Sequence, residues 1–244
     1  MTTILSLSGV NKSFGALTVA DNVTFDLPEG QALGIIGPNG AGKSTLFNLI
    51  GGALSPSSGA IFFEGRDVTR KSAAERCRMG IARSFQIPHP FTGMSVYENL
   101  LVAAAFGAPG GGGGKEVCAE ILQRTGLMGK ANRPAGSLTL LERKRLELAR
   151  ALASGPKLLL LDEIAGGLTE AECYDLVETV RGIRDAGVSI IWIEHVVHAL
   201  TAVVERLIVI DFGRIVADGK PTAVMADPLV QEIYMGIAVD DETA

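Results

Sequence analysis

The chain has 244 residues, 47% of them apolar and 20% charged, with a formal net charge of −5. That length can build one large α/β domain or two small ones around a sizeable core. The acidic balance argues against a nucleic-acid-binding surface spread over the whole protein, and no apolar run reaches the roughly 18 residues that cross a bilayer. The N-terminus, Met1-Thr2-Thr3-Ile4-Leu5-Ser6, lacks the basic start and long apolar core of a secretory signal. Cys77, Cys118 and Cys173 lie far apart and form no C-x-x-C pair. Together these features predict a cytoplasmic address and reduced, structural thiols.

Taken in chain order, residues 4–10 and 23–27 are short β-like runs, and Ala32-Leu33-Gly34-Ile35-Ile36 reads as a buried strand. A glycine-rich turn follows, and Thr45-Leu46-Phe47-Asn48-Leu49-Ile50 reads as a helix. Residues 61–63 form another β-like run. The middle segment, about residues 90–154, looks helical: 116–127 and 142–153 carry apolar residues at helical spacing. Inside it, residues 107–114 are almost all glycine and read as a flexible surface loop. Beyond it, runs at 158–162, 188–193 and 207–210 are strongly apolar and alternate with helical stretches, as buried parallel strands do. Asp211-Phe212-Gly213-Arg214 looks like a hairpin turn into a last short strand at 215–217. The pattern is an α/β core interrupted by a helical insertion.

The turn after the first buried strand reads Gly37-Pro38-Asn39-Gly40-Ala41-Gly42-Lys43-Ser44-Thr45 and satisfies G-x-x-x-x-G-K-[ST], the phosphate-binding loop. Backbone N–H groups of such a turn, backed by a helix N-terminus, seat phosphate oxygens. In this chemistry Lys43 reaches the β- and γ-phosphates and the Ser44 hydroxyl ligates Mg²⁺. Strand, loop and helix in the right order set it apart from a chance glycine turn. The strand Leu158-Leu159-Leu160-Leu161 ends on Asp162-Glu163. Alone, such a pair is more often a solvated strand end. Beside a phosphate loop, Asp162 becomes a Mg²⁺ ligand and Glu163 the group that orients or deprotonates the attacking water.

The order of these elements resembles the ATP-binding subunit of ABC transporters over nearly the whole chain. The resemblance implies an α/β fold: a phosphate-loop NTPase core with a mainly parallel sheet, an N-terminal antiparallel β region and a helical insertion subdomain. It implies a single domain spanning 1–244, with 1–89 and 155–244 as nucleotide-binding core and 90–154 as the helical signature subdomain. By the same resemblance Phe14, in Val10-Asn11-Lys12-Ser13-Phe14-Gly15, stacks on adenine. Gln86, in Arg83-Ser84-Phe85-Gln86, ligates Mg²⁺ and senses the membrane partner; His195, in Ile190-Ile191-Trp192-Ile193-Glu194-His195, contacts the γ-phosphate. Each residue alone has a plainer reading: a core phenylalanine, a surface amide, a strand-end histidine. The joint order of the elements carries the resemblance.

The family's signature, usually Leu-Ser-Gly-Gly-Gln, is here Leu138-Thr139-Leu140-Leu141-Glu142. Thr139 keeps a hydroxyl while both glycines are leucines. Thr139-Leu140-Leu141-Glu142 is also a T-x-x-E capping box opening a helix. If the site needs a positive φ at Leu140 or Leu141, a non-glycine residue there costs roughly 1–2 kcal/mol. Ile164 replaces the proline that usually follows the Asp-Glu pair, and Thr169 replaces the aspartate that usually ends the loop Ala165-Gly166-Gly167-Leu168-Thr169.

The resemblance implies a Mg²⁺-dependent ATPase whose second subunit, identical or not, supplies its signature helix to each ATP. Its partners are integral membrane permease chains and, indirectly, a solute-binding protein, with no nucleic acid. Its place is the cytoplasmic face of the inner membrane. Residues 86–96, with Pro88 and Pro90, are expected to dock a permease helix. Ser84-Phe85-Gln86, Phe91, residues 94–100, residues 165–169 and Ile233-Tyr234-Met235-Gly236 most resemble importers of branched-chain amino acids and related amides. A lipopolysaccharide-export ATPase has a similar tail. A soluble ABC ATPase would carry a long coiled-coil insertion or a second cassette, and a GTPase a guanine-reading Asn/Thr-Lys-x-Asp. The chain has none of these.

Overall fold

The computed structural model describes residues 2–107 and 114–235. Residues 108–113 of the glycine tract and Gly236 of the C-terminal stretch lie outside the described residues. Two long strands, β1 (Thr3–Phe14) and β2 (Leu17–Pro28), open the chain; β3 (Ala32–Ile36) and helix α1 (Lys43–Gly51) follow. Then come β4 (Ser58–Phe63), β5 (Arg66–Asp67), α2 (Ala73–Met79) and β6 (Ile81–Arg83). Helices α3 (Val96–Phe106), α4 (Lys115–Arg124) and α5 (Leu140–Ala153) come before β7 (Leu158–Asp162). The chain continues through α6 (Glu170–Asp185), β8 (Ser189–Ile193), α7 (Val197–Thr201), β9 (Arg206–Asp211), β10 (Arg214–Gly219), α8 (Pro221–Met225) and α9 (Pro228–Met235).

The strands form two sheets. One is antiparallel, in the order β2-β1-β4-β5; the other runs β10-β9-β3-β8-β7-β6, parallel except for β10. Strands β3, β7 and β8 are buried at every position, which is why they read as unbroken apolar runs rather than alternating ones. Their side chains still alternate between faces. Ile36, Leu159, Leu161, Ile190, Trp192, Leu207 and Val209 enter one core cluster with α3 to α7. Leu33, Ile35, Leu158, Leu160, Ile191, Ile193, Ile208 and Ile210 enter the other, with α1 and the antiparallel sheet. A one-residue slip in any of these strands would exchange the two sets.

Parallel pairing brings Ile35, Asp162 and Ile193 to one level of the sheet, so the chain leaves β3, β7 and β8 on a common edge. Ligands of open α/β sheets bind at that carboxyl edge. Arg76, 1% exposed, fastens α1 from below: its guanidinium donates to the carbonyls of Leu49 (2.6 Å) and Ile50 (2.7 Å) at the helix end, and to those of Thr69 and Lys71. These bonds fill the carbonyls that a helix C-terminus leaves unpaired.

Several elements differ from the sequence expectation. Strand β1 runs on to Phe14 through polar residues, because its edge pairing with β2 continues past a register shift to Phe14↔Leu17. The helix expected over 116–127 stops at Arg124, where the Thr125 hydroxyl donates back to the Ile121 carbonyl (2.8 Å) and Gly126 turns at φ 70. Strand β6 and helix α2, unassigned from sequence, are both short. The Cys77, Cys118 and Cys173 thiols are free.

Candidate nucleotide-binding and catalytic site

The phosphate loop leaves β3 under the carbonyls of its neighbours. A Cβ at Gly37 would lie 2.0 Å from the Ile210 carbonyl oxygen, and one at Gly42, at φ 104, would lie 2.3 Å from that of Val19. Only glycine fits at either place. Helix α1 begins at Lys43 with no side-chain cap and no acidic residue in its first turn, which leaves its N-terminal dipole uncompensated by the protein. Lys43 is 6% exposed, and its ammonium donates to the carbonyls of Gly37 (2.7 Å) and Pro38 (2.8 Å). Burial lowers its pKa; the carboxylates of Glu163 and then Asp162 oppose that shift. A cleft of about 190 Å³ lies over the loop, lined by Val19, Asn39, Gly40, Gly42, Lys43, Ser44, Thr45 and Glu163. Phe14 stands half-exposed at the end of β1, with the Lys12 ammonium 5.0 Å from its ring centre.

The carboxyl ends of β7 and β8 supply the rest. Glu163 is a non-glycine residue at φ 47. Its carboxylate accepts from the Gln86 amide on one oxygen (2.5 Å) and meets His195 Nε2 with the other (2.7 Å). Two residues distant in sequence therefore converge on one carboxylate. Asp162, 6% exposed, takes a 2.6 Å ion pair from Arg83, whose other terminal nitrogen donates to Asn48 Oδ1 (2.6 Å).

Residues 138–142 lead into α5 and form its first turn. Leu138 is buried, and Thr139 caps the helix in a complete capping box: the Glu142 N–H donates to Thr139 Oγ1 (3.4 Å) and the Thr139 N–H to the Glu142 carboxylate (3.0 Å). Lys130 pairs with that same carboxylate. Leu140 and Leu141 are ordinary helical residues; neither has a positive φ, so the strain considered above is absent here. Leu140 is 48% exposed. Thr169 likewise caps α6, with Glu172 completing the box.

Sequence reasoning missed Arg83, Lys144 and Glu194. Arg83 sits on the three-residue strand that went unassigned. Glu194 lay in view as a charged residue closing an apolar strand, next to His195, and is 1% exposed. Lys144 carries no sequence signal that separates it from a solvated helix lysine, yet it is 5% exposed.

Ser44, Gln86 and Asp162 offer a hydroxyl, an amide oxygen and a carboxylate. That all-oxygen set with one carboxylate suits Mg²⁺, which is usually held by one or two carboxylates together with substrate phosphates. Among the described residues no group of three or more His, Cys, Asp or Glu could hold a metal ion.

The family model described as ABC transporter matches residues 20–166. The high-affinity branched-chain amino acid transport ATP-binding protein BraF of Pseudomonas aeruginosa is 34% identical, over 96% of this chain and 98% of its own length. The corresponding protein LivG of Escherichia coli is 33% identical, with the same two coverages. Among solved structures, a nucleotide-free ATP-binding cassette from an ABC transporter superposes with a TM-score of 0.87 at 32% identity, over 96% of this chain and all of its own. A cassette in its ADP conformation gives 0.88 at 33%, over 97% of this chain and all of its own.

Proposed function

This chain belongs to the ABC transporter family as an ATP-binding, ATP-hydrolysing subunit, and from that premise we propose that it powers import of branched-chain amino acids or related amides. The observation that carries the catalytic part is the convergence of Gln86 and His195 on the Glu163 carboxylate beside the buried Lys43.

In this reading residues 37–45 hold the triphosphate with backbone N–H groups, Phe14 stacks on the adenine, and Lys43 turns its ammonium from the loop carbonyls to the β- and γ-phosphates. Ser44, Gln86 and Asp162 supply oxygen donors for Mg²⁺, which when bound neutralises phosphate charge. Glu163 takes a proton from a water as that water bonds to the γ-phosphorus and the bond to the bridging oxygen breaks, releasing ADP and phosphate. His195 holds the Glu163 carboxylate in direction and reaches the γ-phosphate. Residues 90–154 form the signature subdomain, and 138–142 of a second subunit close over each ATP, so that binding closes a dimer and hydrolysis reopens it.

Among the described residues no helix is long and apolar enough to cross a membrane, so the reading gives the pore to separate permease chains and places this subunit on the membrane's cytoplasmic face. A groove of about 390 Å³ supports that placement. Phe85, Phe91 and Phe106 line it at 52%, 45% and 77% exposure, three large apolar side chains left open to solvent beside one another. Arg83 and Arg150 stack over the Phe85 and Phe91 rings at 5.3 and 5.1 Å. At its base, burial raises the Glu147 carboxyl's pKa against the pull of Arg150. A permease's cytoplasmic helix fits this groove, and a solute-binding protein would deliver solute from the other side.

The test is ATP hydrolysis and solute uptake by cells or vesicles carrying the whole transporter. Phe106→Glu should spare basal ATPase and cut uptake. Loss of both together would mean a folding defect and count against the groove, while undiminished hydrolysis in Lys43→Ala would exclude this site altogether.

A further inference from the structure

Two buried charges that the proposed chemistry does not use hold the backbone around the catalytic carboxylate. Glu194 directly follows β8, and both of its carboxylate oxygens are engaged by backbone. One accepts the Ala165 N–H (2.6 Å); the other accepts the N–H groups of His195 (2.9 Å) and Val196 (3.4 Å). Lys144 reaches in from α5, and its ammonium donates to the carbonyl oxygen of Glu163 (3.3 Å). Burial lowers the Lys144 pKa, and the carboxylates of Glu194 and Glu163 pull it back up. An ion buried this deeply persists only when its charge is answered by hydrogen bonds or opposite charge; Glu194 has three backbone N–H groups, and Lys144 has the Glu163 carbonyl and the field of the two carboxylates.

We propose that Glu194 and Lys144 are positioning residues for hydrolysis: Glu194 ties the backbone of His195 to the loop after Glu163, and Lys144 fixes the Glu163 peptide from the signature helix. The inference rests on the catalytic reading of Glu163 and His195. Its physical basis is the backbone of Glu163. A non-glycine residue at positive φ is held there only if its surroundings over-determine it. Here the Glu163 N–H donates to Ile193 O (2.9 Å), its carbonyl accepts from Lys144, and two residues on Glu194 takes the Ala165 N–H. The carboxylate is thereby aimed at Gln86 and His195. Because α5 begins at the signature residues, a shift of that helix on dimer closure would be felt at Glu163 through Lys144.

The test measures steady-state ATP hydrolysis, ATP binding and thermal melting of the full chain. Glu194→Gln keeps the volume but turns an NH₂ toward N–H donors. It should lower kcat by about 10- to 100-fold, the usual cost of a small misplacement, with the KM for ATP and the melting temperature little changed. Lys144→Met should do the same, and Lys144→Arg should restore most of the rate. Wild-type kcat in Glu194→Gln would overturn the proposal, and so would a rate loss matched by lost ATP binding and a lowered melting temperature, which marks a merely structural role. Should Glu194→Gln not fold, wild-type kcat in Lys144→Met overturns it instead. Lys43→Ala runs alongside: full activity there would bring down the catalytic reading and this inference with it.

Discussion

Helices α1 and α5 both begin with a turn of backbone N–H groups that no preceding turn satisfies, yet the protein treats the two ends differently. At α1 there is no side-chain cap, and a buried lysine bends over the loop. At α5 a capping box closes the turn, with Lys130 balancing its carboxylate. The difference follows from what each end would hold. An uncapped terminus with its own counter-ion is ready for phosphate inside one chain. A capped terminus is stable by itself and offers a second subunit's nucleotide less: the Thr139 and Glu142 N–H groups are already committed within the capping box. The account therefore predicts strong ATP binding by each subunit and weaker, partner-dependent closure.

The largest effect should come from breaking the open end. Lys43→Ala should abolish hydrolysis and sharply weaken binding of radiolabelled ATP, whereas Glu163→Gln should keep ATP bound while turnover falls at least about 100-fold, since general-base contributions run from 10² to 10⁴. Next comes the far end of the same helix. Arg76→Ala strips four carbonyls of their donor and should cost about 2–3 kcal/mol in chemical denaturation. Phe14→Ala should weaken ATP binding by about 1–3 kcal/mol, and calorimetry with inorganic triphosphate, which has no base to stack, should show no change in the variant.

Changes at the capped end should be smaller. Leu141→Gly relieves no strain, because Leu141 is helical, and should cost about 1 kcal/mol of stability from helix propensity. Glu142→Gln should alter folding by less than about 1 kcal/mol while strengthening ATP-dependent association, because a negative charge leaves the closure face. Weaker association in Glu142→Gln would mean that the carboxylate itself makes the partner contact.

Much of this contrast was legible in the sequence. The phosphate loop announces itself by local sterics, since two of its glycines lie against carbonyls, and the α5 cap by T-x-x-E. The buried strands were legible because β3, β7 and β8 are apolar on both faces. The same T-x-x-E recurs at Thr169-Glu172 and its serine form at Ser72-Glu75, so α6 and α2 carried start signals that went unread. What could not be read was tertiary. Three residues of β6 are too few to show a period, so Arg83 had no strand to place it beside Asp162. Lys144 looks like any exposed helix lysine until the fold buries it. Glu194 takes its role from N–H groups 1, 2 and 29 positions away. Such contacts are set by topology and leave no local pattern.

The central claim is that the capped α5 terminus still closes over a partner's ATP. Sedimentation of Glu163→Gln, with and without Mg²⁺-ATP, alone and with co-purified membrane partners, tests it most directly. The account predicts a monomer of 25.5 kDa without nucleotide and a species of twice that mass with it, fully formed at least when the membrane partners are present. A chain that binds ATP yet stays monomeric in both settings would contradict it.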